Sequence, residues 1–65
     1  MSDGLQVALM EIKPEYRSVV VLKHFLDCSY DEISEILDIP EKTVKSRLYS
    51  GRQLLKDALT RNGIR

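Results

Sequence analysis

"SYDEISEILDIPEKTVKSRL", residues 29–48, sets an acidic helical pattern and a basic one almost end to end. Ser29 followed three residues later by Glu32 reads as a capping box, in which the serine hydroxyl accepts from the Glu32 amide and the Glu32 carboxylate accepts from the Ser29 amide. Asp31 and Glu32 also lie where the helix dipole favours negative charge, so the acidity here has a structural cause. Ile33, Ile36 and Leu37 supply the apolar contacts of a short helix expected over 30–37. Pro40 ends it, because a proline disfavours helical backbone in the residue before it. Asp38 and Ile39 then make the turn. Aspartate tolerates left-handed backbone better than most residues, and Ile39 is apolar enough to tuck beneath the corner. Beyond Pro40 a long helix is expected over 41–61, with Val44, Leu48, Gly51, Leu55, Ala58 and Leu59 on one core-facing stripe. Gly51 costs such a helix about 1 kcal/mol relative to alanine, which points to a close backbone approach there. Asn62 and Gly63 form the stop.

A short helix, a tight turn holding an apolar residue and a longer second helix make the helix-turn-helix pattern. In that motif the first helix braces against a nucleic-acid backbone and the second lies in the major groove. With about 100° per residue, the side opposite the apolar stripe carries Lys42, Ser46, Tyr49 and Gln53, flanked by Lys45 and Ser50. Lys42 and Lys45 suit guanine acceptors or phosphates, Ser46 suits several base edges, and the Tyr49 ring suits a thymine methyl. Arg47 and Arg52 lie to the sides, where phosphate contact is expected. Glu41 could accept from cytosine, but its place in the first turn is explained by the helix dipole.

Charge distribution agrees with this reading where net charge does not. The formal net charge is zero, yet residues 1–40 hold three basic and eight acidic side chains, while 41–65 hold seven basic and two acidic. A polyanion responds to the local field and not to the sum. The bland alternative is a solvated basic face.

Upstream, "LQVALMEI" (5–12) places Leu5, Ala8, Leu9 and Ile12 on one helical face, with Ser2 or Asp3 as its cap. Pro14 separates it from "EYRSVVVLKHFL" (15–26), where three valines favour a strand. Tyr16, Val19, Val20, Leu22, Phe25 and Leu26 nevertheless form a broad helical stripe and no partner strand is nearby, so helix is expected. The chain is read as one all-α domain over 1–65, a right-handed bundle of four helices (5–12, 15–26, 30–37, 41–61). It would resemble winged-helix or homeodomain bundles, without a wing. At 65 residues it sits near the lower size limit for folding without a metal or disulfides. No apolar run can cross a bilayer, since "SVVVL" (18–22) ends at Lys23, and no basic-then-apolar leader opens the chain. The lone Cys28 excludes an internal disulfide and suits a reducing cytoplasm.

"PEYRSVVVLKHF" together with "SYDEISEILDIPEKTVKSRL" closely resembles the C-terminal region-four domain of bacterial RNA polymerase sigma factors, especially the extracytoplasmic-function group; the likeness runs from residue 5 to about 60. The resemblance implies double-stranded promoter DNA, at the −35 element, as a partner of the second motif helix. It also implies docking on the flap of the polymerase beta subunit and, in many members, inhibition by an anti-sigma protein. Lys45, Ser46, Arg47, Tyr49 and Ser50 fall on the family's DNA-contacting positions. A cytoplasmic, nucleoid-associated protein without a cofactor is expected. Asp38 departs from the family's frequent glycine, Ser50 and Gly51 from its commoner arginine and alanine, and Pro40 from a serine cap. The family's other large domain cannot fit in this length, so the chain is either an excised piece starting at an introduced "MSDG", the expected case, or a natural protein that lacks that domain's function.

Three rival readings carry different chemistry. A LuxR-like helix-turn-helix domain has similar "TVKSRL" phrasing, but "PEYRSVVVLKHF" favours the sigma likeness. A helical protein-interaction module would use the acidic half as its surface. Catalysis or metal binding would use His24 and Cys28, four residues apart; two ligands do not complete a zinc site, and a nucleophile pair needs an orienting group. Neither an enzyme nor a metal site is expected.

Overall fold

The computed structural model describes residues 3–63. Four helical segments follow one another: α1 (Asp3–Glu11), α2 (Pro14–Val20, prolonged by a π-helical turn over Val21–Phe25), α3 (Tyr30–Leu37) and α4 (Glu41–Arg61). No strand occurs among the described residues. The spans of α3 and α4 coincide with those read from the sequence. α1 starts two residues earlier than the expected 5–12 and stops at Glu11. Pro14 forces Lys13 into extended backbone (φ −62°, ψ 146°), so Ile12 is already leaving the helix. The cap expected from Ser2 or the Asp3 side chain lies outside the described residues and side chains.

α4 packs against α1, α2 and α3 in turn. Val19, Val20, Ile33, Val44 and Leu48 form a fully enclosed cluster where α2, α3 and α4 meet. Each such side chain contributes about 1.5–3 kcal/mol on burial, and a core in a chain of this size rarely supplies more than about 3–5 kcal/mol of net stability. Ala8 of α1, Ile12 just beyond it and Ala58 of α4 are buried as well, where α1 packs against α4. Gly51 is the contact point between α4 and α2. A β-carbon there would lie 2.8 Å from Val20 Cγ2 and 3.2 Å from the Tyr16 carbonyl oxygen, so the close approach expected of this glycine is present. At the far end of α4, Arg61 Nη2 donates to Glu11 Oε1 at 2.9 Å and Asn62 Nδ2 to Glu11 Oε2 at 3.2 Å. These bonds hold the Glu11 carboxyl below the usual carboxylate range, the Arg61 bond contributing most.

The second helix departs from the expected regular helix over 15–26. Beyond Val20 its bonds widen: the Leu26 amide donates to the Val21 carbonyl at 3.1 Å, a five-residue step. A π turn advances each residue less about the axis than an α turn does, so the apolar stripe slips in phase. Phe25 and Leu26, expected in the stripe, are 51% and 62% exposed as a result. Ile36 is a second correction: it was expected among the apolar contacts of α3 and is 59% exposed. Ile33 and Leu37, one turn apart, occupy the inner face of this eight-residue helix and leave Ile36 to its side.

Candidate nucleic-acid interface

The motif is built from both sides of α3. At its start the Ser29 hydroxyl accepts from the Glu32 amide at 3.1 Å and the Glu32 Oε1 accepts from the Ser29 amide at 2.7 Å, completing the capping box. At its end Asp38 adopts left-handed backbone (φ 55°, ψ 50°). The Ile39 amide donates to the Ser34 carbonyl at 3.1 Å, and Ser34 Oγ donates back to the Ile39 carbonyl. Ile39 is half-buried against the core cluster, as its apolar character requires. Pro40 supplies the extended residue before α4 and caps through its carbonyl alone, accepting from the Thr43 and Val44 amides at 2.9 and 3.1 Å. These bonds, with the Asp38 amide donating to the same Ser34 carbonyl, tie the turn from α3 into α4.

Val44, Leu48 and Gly51 bury one side of α4 and turn the other outward. Lys42, Lys45, Ser46, Tyr49 and Gln53 are all exposed there, with Tyr49 at 68%. Arg47 and Ser50 are half-buried on its flanks. Arg52 is exposed but turned towards α2, where its Nε donates to His24 Nε2 at 3.0 Å. Arg52 and His24 also line a groove between α2 and α4 whose floor is Val20, Leu55 and Leu59, with Lys56 on its rim.

Three contacts near this face were not foreseen. Lys23 Nζ stands 4.7 Å from the centroid of the Tyr30 ring, and Lys45 Nζ stands 5.4 Å from the same centroid. The His24–Arg52 bond is the third. All three join residues from different elements, so no periodicity within one helix announces them.

His24 and Cys28 do not share a helix face. The helix ends at Phe25, Asp27 turns the chain with φ 56°, and Cys28 lies beyond that corner, half-buried. Among the described residues no three His, Cys, Asp or Glu side chains gather as a metal ion would require, and no helix is long and apolar enough to cross a membrane.

Comparison with known proteins assigns this arrangement to a family. The model of sigma-70, region 4, matches residues 2–55. The chain is 41% identical over 59 residues to the ECF RNA polymerase sigma factor SigW of Bacillus subtilis, covering 91% of this chain and 32% of that protein. It is 43% identical over 62 residues to the ECF RNA polymerase sigma factor SigE of Mycolicibacterium smegmatis, covering 95% of this chain and 24% of that one. The chain thus spans about a third and a quarter of the lengths of these relatives. No solved structure matches. With α3, the turn and most of α4 inside the matched segment, the chain belongs to the sigma-70 region 4 family.

Proposed function

We propose that this domain binds the −35 element of promoter DNA through α4 and so directs RNA polymerase to its promoters at transcription initiation. The observation that carries the reading is the outward face of α4: five exposed side chains able to bond to bases or phosphates, opposite a buried stripe, on a helix that follows a hydrogen-bonded turn. In this reading Lys42, Arg47 and Arg52 anchor phosphates. Lys45, Ser46 and Tyr49 meet base edges, with Ser50 and Gln53 beside them. Arg52 spends only its Nε on His24, which leaves its two terminal amino groups for a phosphate. Sequence-independent attraction comes from the basic C-terminal half, and discrimination from the base-edge contacts.

The reading assigns the domain no catalytic step and places it in the bacterial cytoplasm, on the nucleoid. Its second partner is the polymerase core. The apolar groove of Val20, Leu55 and Leu59 between α2 and α4 supports docking of the beta-subunit flap, or of an anti-sigma protein in its place.

Lys45→Ala tests the assignment. It should cost about 1–3 kcal/mol on the preferred duplex and less on a scrambled one. An equal loss on all sequences makes Lys45 a phosphate contact and removes it from the reading set.

A further inference from the structure

We propose that Tyr30 is a positioning residue for the DNA-reading face, its ring holding the Lys45 ammonium in the place from which it meets a base edge. The inference rests on the reading of α4 as the promoter-reading helix.

Three elements converge on this ring. Lys23 comes from the π turn that prolongs α2, Tyr30 is the first residue of α3, and Lys45 belongs to the second turn of α4. The ring is the fixed member. It is half-buried against the core cluster, and the helix that bears it is locked at this end by the Ser29–Glu32 capping box. Lys45 is the mobile member: exposed, on a flexible four-carbon stem, and dependent on outside contacts for a defined position. An aromatic face attracts an ammonium within about 6 Å of its centroid, and Lys45 Nζ is at 5.4 Å.

The second ammonium strengthens the argument. Lys23 Nζ, at 4.7 Å, is drawn to the same ring although the two cations repel each other. Neither forms an ion pair with a carboxylate among the described residues. The ring is therefore what holds two unneutralised charges on one side of the motif, the arrangement an incoming polyanion would complete. Ordering Lys45 in advance lowers the entropy lost when it engages DNA. It also limits the positions from which the lysine can bond, which is what discrimination between base edges needs. A ring that merely filled space at the corner would influence stability and leave discrimination untouched.

The experiment combines NMR with a double-mutant cycle on the 65-residue chain. The probe is a duplex selected from a randomised pool, beside its scrambled counterpart. In the free wild-type protein the Lys45 side-chain methylene resonances should show the ring-current shift of a neighbouring aromatic, and should keep it on the selected duplex. Tyr30→Leu keeps apolar packing but lacks the π face. It should weaken binding to the selected duplex about two- to five-fold and to the scrambled one less. Tyr30→Phe should restore the wild-type values, and in a Lys45→Ala background Tyr30→Leu should cause no further loss. An equal loss in that background, tighter binding by Tyr30→Leu, or disappearance of the ring-current shift in the complex overturns the proposal. The last of these needs no variant, so it decides even if Tyr30→Leu fails to fold. If Lys45→Ala leaves discrimination unchanged, the reading role of Lys45 itself fails, and the free-protein shift still reports separately whether the ring holds it.

Discussion

Two corners flank α3, and each is turned by an aspartate in left-handed backbone: Asp27 (φ 56°) before the helix and Asp38 (φ 55°) after it. They share a backbone device and differ in everything around it. The second corner is tight. Ile39 is tucked against the core, Ser34 bonds to it through both its carbonyl and its hydroxyl, and Pro40 fixes the entry to α4. The first corner follows a π turn and closes through a longer loop of chain, the Cys28 amide donating to the Leu22 carbonyl at 2.9 Å. It leaves Phe25 and Leu26 exposed. The tight corner is the one that sets the angle between α3 and α4, and hence the aim of the proposed reading helix. The loose corner only has to deliver the chain to the capping box.

Gly51→Leu should break both corners together, because it forces apart α2 and α4, between which they hang. Over-packing costs about 1–3 kcal/mol and improved helix propensity returns about 0.8 kcal/mol. The Tyr16 carbonyl cannot move aside as a flexible side chain could, so the net loss should be about 2 kcal/mol. Thermal unfolding would read it as a large fall in midpoint, and an unchanged midpoint would mean that the helices do not press on one another at this residue.

Asp27→Gly and Asp38→Gly test whether the corners share their device. Left-handed backbone strains any side chain, and glycine removes that strain at the cost of a more flexible unfolded chain. Each substitution should therefore stabilise by about 0.5 kcal/mol, raising the midpoint by roughly 2–4 °C. Similar gains would establish equivalence. A gain at Asp27 with a loss at Asp38 would show that the Asp38 carboxylate serves the tight corner in its own right.

The smallest effect lies far from both corners, at the Glu11–Arg61–Asn62 tie. The folded state lowers the Glu11 pKa, so the stabilisation is present above the unfolded value and is lost as the pH falls through the folded one. A pH titration of stability through the acidic range should show a slightly shallower decline for Glu11→Gln than for the wild type. The site is exposed, and both corners should be indifferent to the change.

The contrast between the corners also explains how far the molecule was legible in its sequence. Ser29, Glu32 and Pro40 are punctuation with fixed meaning, and Asp38 stands between a helical run and that proline, so α3, the turn and the start of α4 could be read directly. The π turn has no such mark. Val21–Phe25 looks like a continued α-helix, and the widened bonding that exposes Phe25 and Leu26 is a property of the backbone. The outward set of Lys42, Ser46, Tyr49 and Gln53 followed from helix geometry and the burial of Val44 and Leu48. The bond from Arg52 to His24 and the gathering of Lys23 and Lys45 on Tyr30 did not, because they depend on how three helices meet.

Fluorescence anisotropy of the chain with a −35 duplex and a scrambled duplex, across a salt series, tests promoter reading by α4 most directly. Promoter reading requires a preference for the promoter sequence and a steep salt dependence, with about −0.9 in the logarithmic slope for each phosphate neutralised. Absence of binding at low salt to any of a pool of candidate duplexes would contradict it, and would leave the domain as a protein-interaction module.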